Sequence, residues 1–440
     1  MTHRKQHFEL DSHAAEMGNH FAWTANDLIR TISLPASAVD RDPRTGKIER
    51  TIDLPNANSS WGLRGRNFAF RANKEGGQTK LNLLTIDAKN NVTEVIPEIR
   101  FEGENRPNCI NDDSTKIAIN LGWYARTIVF DLPAGKERTL GAENFIGVEQ
   151  MAWAPDGKVI AIVGRGLKSD GGGLGAAGWL HLVDPASGAD ISHTQVGRHR
   201  VAASAVAWSP DSHRIVAATH DGTCEIFDSQ HQRRLVSRQI HRAAVTSLSW
   251  HPDGTRIASG GEDQTVKVWD STSGETVLIL PCNGAVIHVE WSPDGKMLAA
   301  QEKSGTIRIW DTAAGSAFAD SKSFQERITR RILNDFQSAC EAENFPLATQ
   351  HGMMLLDRKG DRNVYYYNNL ALLLAAEHDN RYVDVCARML RTRTAADKPI
   401  AKHFAAWTCA LAPNGVDDYA DAIALGRVTV HGPGLVCTGT

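Results

Sequence analysis

Residues able to do chemistry are plentiful in this chain of 440 residues, which holds 17 histidines, 51 acidic residues and 7 cysteines. Their spacing matches none of the common catalytic arrangements. A nucleophile elbow requires G-x-S-x-G, a metalloprotease helix H-E-x-x-H, and a phosphate loop G-x4-G-K-[ST]; none occurs. A G-x-G-x-x-G run does exist at Gly173, Gly175 and Gly178, inside GRGLKSDGGGLGAAG (164–178). That pattern cradles a pyrophosphate only where a strand precedes it and a helix follows. Here strand-like GWLHLV (178–183) follows, so the glycines read as a hairpin loop. The partner motifs of a kinase glycine loop, V-A-I-K, H-R-D and D-F-G, are missing. Cysteines 109, 224, 282, 340, 386, 409 and 437 lack C-x-x-C spacing and read as reduced thiols. His3, His7, His13 and His20 read as solvated side chains. No catalytic, cofactor-binding or metal-ligating residues are therefore expected.

The polar residues make sense once the elements around them are considered. Residues 241–281 contain four short β-rich runs separated by turn residues, the pattern of a small antiparallel sheet. The first run holds Val245, Leu248 and Trp250 and turns at HPDG (251–254); the second is Arg256–Ser259; the third is Thr265–Trp269; the fourth is Glu275–Leu280. The Asp ending the third run recurs as Asp42, Asp87, Asp131, Asp184, Asp228, Asp270 and Asp311, at intervals of 45, 44, 53, 44, 42 and 41 residues. Five of these begin D-x3-G turns: DPRTG, DLPAG, DPASG, DSTSG and DTAAG. A turn after the first run recurs in register as INDDS, WAPDG, WSPDS, WHPDG and WSPDG. Two markers with one period of about 40 residues indicate repeated four-stranded units. The 53-residue interval carries the Gly-rich insertion.

These units resemble WD40 repeats, and the resemblance implies a mainly β fold, a WD40-type β-propeller. It also implies a hydrogen-bonded tetrad of His241, Ser259, Asp263 and Trp269, a structural role that suits a buried Trp N–H and inward His and Asp side chains needing partners. Seven third-strand markers point to seven blades, with six as the alternative if the first is degenerate. Ring closure is expected from a strand near Gln6–Leu10 that completes the last blade. Other blades keep less of the tetrad: His199, Asp221 and Phe227 stand with Ala217, and Trp310 stands with Cys282, Ala300 and Ser304. Hydrophobic packing is expected to carry these.

From about Ser321 the alternation gives way to helical periodicity. FQERITRRILNDFQSACEAE (324–343) places Phe324, Ile328, Ile332 and Phe336 on one face. Further helices are expected over 363–378, 381–393, 398–411 and 417–425. Phe345, Tyr382 and Tyr419 recur every 37 residues, and the segment is similar to tetratricopeptide-type helical hairpins. The expected organisation is a propeller over 1–318 and a smaller all-α, helical-hairpin region over 322–440. A net charge of −3 argues against nucleic-acid binding. The absence of a signal peptide or an 18-residue apolar run leads to an expected cytoplasmic location.

The combination of a WD40-like propeller with a tetratricopeptide-like tail resembles bacterial signalling and scaffold proteins. It implies a non-enzymatic adaptor that binds a protein or peptide and needs no cofactor, with possible self-association through the tail. Arg200, His220, Arg242, Glu262 and Lys303, beside the tetrad positions, are the candidate partner-binding rim. The alternative is a propeller enzyme of hydrolase or lactonase type, with a metal or carboxylate site on the central axis.

Overall fold

The computed structural model describes residues 6–312 apart from several loops, among them 12–20, 55–59, 103–107, 121–126, 167–176 and residue 199. It also describes 322–341, 345–356 and isolated positions at 370–371, 374 and 385–386. Clustering of contacts divides the chain into two compact units, Met1–Ala319 and Asp320–Thr440.

In the first unit the described strands form seven four-stranded sheets. The first contains β2 (Phe21–Trp23), β3 (Ile29–Ser33), β4 (Ser37–Arg41) and β5 (Ile48–Asp53). The second contains β6 (Ser60–Arg64), β7 (Phe68–Glu75), β8 (Gln78–Ile86) and β9 (Val92–Glu102). In the third are β10 (Asn108–Ile110), β11 (Lys116–Asn120), β12 (Thr127–Asp131) and β13 (Lys136–Leu140). The fourth is built from β14 (Phe145–Trp153), β15 (Ile160–Gly166), β16 (Ala177–Val183) and β17 (Asp190–Val196). The fifth follows as β18 (Ala203–Trp208), β19 (Arg214–Thr219), β20 (Thr223–Asp228) and β21 (Arg234–Gln239). The sixth runs through β22 (Val245–Trp250), β23 (Arg256–Gly261), β24 (Thr265–Asp270) and β25 (Thr276–Pro281). The seventh combines β26 (Val286–Trp291), β27 (Met297–Glu302) and β28 (Thr306–Asp311) with β1 (Gln6–Asp11) from the start of the chain. β1 lies antiparallel to β28, with Leu10 opposite Ile307 and Asp11 opposite Thr306.

Within each sheet, consecutive strands are antiparallel neighbours, as short connections require. The D-x3-G turns among the described residues share one geometry. Gly46, Gly188 and Gly274 have φ of 72°, 78° and 71°, and each donates its N–H to the carbonyl of the leading Asp at 2.8–2.9 Å. That left-handed conformation is why the fifth position is Gly. The Asp270 carboxylate accepts Thr272 N–H, Ser273 N–H and the Ser273 hydroxyl, holding its own turn closed.

Neighbouring sheets share apolar cores. Val183 and Trp153 pack with Val129 and Leu140 across the third and fourth sheets; Leu180 and Val206 join the fourth and fifth. Trp269 packs with Ile226 and Val236 of the fifth sheet, and Trp310 and Leu298 with Val268 of the sixth. Phe21, Trp23 and Ile29 pack with Met297, Ile307 and Ile309, joining the first sheet to the last, while Ala38 and Ile52 pack with Leu84 and Ile86 of the second. The first strands touch from the third sheet through the seventh, and β2 of the first sheet touches both β26 of the seventh and β6 of the second. The fourth strands β5, β17, β21 and β25 are mostly exposed or half-buried, with a single buried residue each, so they form the outer edge.

A first strand has one edge unpaired within its own sheet, and side chains of the preceding first strand bond to it. Gln150 Oε1 accepts Val206 N–H at 2.6 Å, Ser247 Oγ accepts Val289 N–H at 3.1 Å, and Ser249 Oγ accepts Trp291 N–H at 3.2 Å. Indole N–H groups add a second link: Trp208 donates to Ala152 O (3.0 Å), Trp250 to Ala207 O (3.2 Å) and Trp23 to Glu290 O (3.1 Å). The last of these crosses from the first sheet to the seventh.

The second unit contains α1 (Lys322–Glu341) and α2 (Phe345–Leu356). Ile332, Phe336 and Ala339 are buried at i, i+4 and i+7, one apolar stripe. Phe324 and Ile328 lie on α1, but their side chains are outside the described residues. Leu370, Ala371, Leu374, Val385 and Cys386 are helical and buried; the rest of the helices expected beyond 363 also lies outside the described residues. Among the described residues no helix is long and apolar enough to cross a membrane.

Removing residues 1–12 exposes the edge of β28. The truncated protein is expected to melt about 5–10 °C lower and to self-associate through that edge. Thermal unfolding together with size-exclusion chromatography checks both effects; an unchanged melt and a single unshifted peak would contradict the role given to β1.

Candidate functional site

His241, Ser259, Asp263 and Trp269 converge from the loop before β22, from β23, from the loop after it and from β24. Their hydrogen bonds form one directed chain. Asp263 Oδ1 lies 2.9 Å from His241 Nδ1, His241 Nε2 lies 2.8 Å from Ser259 Oγ, and Trp269 Nε1 donates to Ser259 Oγ at 3.2 Å. Burial pushes the His241 imidazole below its usual 6.5, so the ring is neutral in the fold. A neutral ring donating Nδ1–H to the carboxylate must accept the Ser259 hydroxyl proton at Nε2, and the hydroxyl oxygen then accepts the indole N–H. Burial works to raise Asp263, but hydrogen bonds from Thr265, His241 and the Arg242 N–H prevail and hold it at about 2. The order Ser–His–Asp is that of an acyl-transfer triad, yet Ser259 is fully buried and already bonded to Trp269. No substrate carbonyl can reach it, and the arrangement is a structural clasp.

The fifth sheet keeps only part of this device. Ala217 occupies the serine position and Thr219 Oγ1 donates to Asp221 at 2.5 Å; His199 lies outside the described residues. The seventh sheet has a buried ion pair instead: Arg308 Nε donates to Glu302, whose carboxylate also accepts Asn283 N–H at 3.1 Å. In the first sheet Arg30 grips Asp40 with two bonds, 2.6 and 2.9 Å, and both side chains are buried. Apolar packing alone was the expectation for these divergent units; buried Arg–carboxylate pairs correct it. Each pair spans adjacent strands, Arg30 on β3 with Asp40 on β4 and Glu302 on β27 with Arg308 on β28. A bidentate guanidinium satisfies a buried carboxylate as fully as the His–Ser–Trp chain does.

The five candidate rim residues are all exposed. His220, Glu262 and Lys303 occupy the same place on three successive sheets: their N–H groups donate to Ala202 O (3.1 Å), Ala244 O (2.9 Å) and Ala285 O (2.8 Å). Arg242 N–H is fixed at 3.1 Å by Asp263 Oδ2, so the clasp that holds the sheet also sets this loop. Arg200 adopts a left-handed φ of 69°. The structure thus puts these residues at one end of the fifth to seventh sheets and leaves their side chains in solvent.

A separate groove of about 250 Å³ runs along the outer strands of the fifth sheet, lined in part by Arg198, Arg234 and Arg238. Its acid, Glu225, is committed: it accepts Gly197 N–H (2.9 Å) and the Ser237 hydroxyl (2.9 Å) and pairs with Arg234 at 3.3 Å. Gly173 and Gly175 of the glycine fingerprint lie outside the described residues, and Gly178 sits on β16, within a strand. One cluster escaped the sequence reading. His181, Asp190 and His193 come together across the β16–β17 hairpin, a grouping visible only once the strand register is known.

Ser259→Ala leaves the Trp269 and His241 nitrogens without a shared partner and is expected to cost about 1–3 kcal/mol; Trp269→Ala is expected to cost about 3–5 kcal/mol. Urea unfolding measures both. Asp263 is depressed on folding, from 3.8 to about 2, so its contribution is complete above pH 3.8 and is lost as the pH falls toward 2. Asp263→Asn is expected to flatten that acid limb, read as stability against pH for the variant beside the native protein.

Three segments match the family "WD domain, G-beta repeat" (WD40): residues 192–228, 233–270 and 274–311. The first begins within the fourth strand β17 and the other two just before a fourth strand, and each ends with the third strand of the next sheet. No curated protein matches the chain. A chain from a structure titled "Crystal Structure of Mitotic Checkpoint Complex" is similar in fold, with a TM-score of 0.55 at 17% identity, covering 70% of this chain and 92% of that one. The geometry and the matched segments lead to one statement: the chain carries three WD40 repeats within a mainly β propeller.

Proposed function

We propose that this protein is a non-catalytic interaction scaffold whose propeller rim docks a protein or peptide partner. The observation that carries this reading is the repeated placement of His220, Glu262 and Lys303 on three successive sheets, exposed beside a buried polar clasp. Rigid loops presenting exposed side chains at a common level suit recognition of an extended partner surface. With Arg200 and Arg242 beside them, cations outnumber the single acid, which favours an acidic partner segment. The strongest alternative chemistry, an acyl-transfer triad, has its serine sealed.

The reading extends to the whole chain. All seven sheets are taken as blades of one ring, an inference supported by the shared apolar clusters from the third sheet through the seventh and on to the first and second. The helical unit, taken as tetratricopeptide-like hairpins, provides a second contact or self-association. The protein works in the cytoplasm, in a signalling role.

Co-purification with native-level tagged protein is expected to recover a partner that is lost in the Arg242→Glu/Glu262→Lys/Lys303→Glu variant, with unchanged circular dichroism and melting. Recovery of the same partner by both proteins would move the contact away from this rim.

A further inference from the structure

We propose that His181, Asp190 and His193 form a three-ligand site for a zinc-class divalent transition metal on the outer strands of the fourth sheet. Strand register brings these residues to one face. His181 on β16 is directly opposite His193 on β17, and Leu182 is opposite Ser192 on the other face. The next pair, Val183 with Asp190, skips Ile191. Without that bulge Asp190 would alternate to the far side of the sheet; with it, Asp190 returns to the side of the two histidines.

The distances fit ligation better than hydrogen bonding. Asp190 Oδ2 lies 3.5 Å from His181 Nδ1 and 3.9 Å from His193 Nδ1, and the three ligand atoms lie within 4.8 Å of one another. Good N–H···O bonds span about 2.7–3.2 Å. A tetrahedron with metal–ligand bonds of about 2.0–2.2 Å has edges of about 3.3–3.6 Å, so the atoms need to move inward by about 1 Å at most.

The surroundings supply both rigidity and access. His181 is nearly sealed at 5% side-chain exposure, whereas Asp190 and His193 are 32% and 55% exposed, leaving the fourth position open to water or a ligand. The imidazoles stack at 5.3 Å between centroids, 25° apart, and Trp179 lies 5.6 Å from His193. Two imidazoles and one carboxylate suit Zn²⁺, Ni²⁺ or Cu²⁺ and are poorly suited to Mg²⁺ or Ca²⁺, which prefer oxygen donors alone. The bound ion would tie β17 to β16 across the hairpin. The site lies on the third and fourth strands of its sheet, so it differs in place from a catalytic centre on the axis.

The test is titration of the full-length, chelator-stripped protein with Zn²⁺ by calorimetry, with Co²⁺ absorption reporting tetrahedral coordination. One saturable equivalent is expected, weakened at least tenfold by His193→Ala and by Asp190→Asn. Both side chains are partly exposed, so the metal-free variants are expected to melt with the native protein. A His3→Asn/His13→Asn/His20→Asn variant is expected to bind as the native protein does. Absence of saturable binding, undiminished affinity in His193→Ala, or loss of binding in the N-terminal variant would each overturn the proposal.

Discussion

Each described sheet has the same difficulty at one edge: the first strand has a row of backbone groups with no neighbour in its own sheet. Contact with the preceding first strand resolves it, through Gln150, Ser247 and Ser249 side chains and through the indoles of Trp208 and Trp250. An indole serves well because one end fills the apolar space between sheets while the other donates a hydrogen bond. Trp23 repeats the contact between the first and last sheets, where no peptide turn joins them. Without these links the sheets would be small, two-faced and individually marginal.

In the first, sixth and seventh sheets, the common requirement is a carboxylate, buried or nearly so, with satisfied partners. In the sixth sheet a carboxylate, an imidazole, a hydroxyl and an indole meet it in sequence. In the first and seventh sheets an arginine on an adjacent strand meets it directly. The two solutions share a consequence: removing one partner leaves a buried polar group unmatched, while the surface loop above it can vary. Arg242 shows the coupling, since its amide is held by the same Asp263 that anchors the interior.

Local signals were legible in the sequence. The D-x3-G turns depend on residues four apart, and their geometry at Asp42, Asp184 and Asp270 follows from a single left-handed glycine. His241, Ser259, Asp263 and Trp269 could be named because one complete repeat resembles its family throughout. The Arg30–Asp40 and Glu302–Arg308 pairs were illegible for the opposite reason: they lie where the repeat pattern fails, and charged residues in a strand ordinarily read as solvent-facing. The His181–Asp190–His193 grouping depends on a one-residue bulge, which no periodicity reveals. The glycine fingerprint was legible as a hairpin loop because a strand, not a helix, was expected over 178–183, and Gly178 lies on β16.

The pairing of β1 with β28 also orders events during synthesis. The strand made first cannot find its neighbour until Thr306–Asp311 has left the ribosome, roughly 300 residues later, an interval of about 15–60 s at about 5–20 residues per second. Throughout that time the six sheets between them can assemble outward from their own hairpins, each complete in itself. The last sheet alone must wait for the oldest part of the chain, so its completion is a single late event.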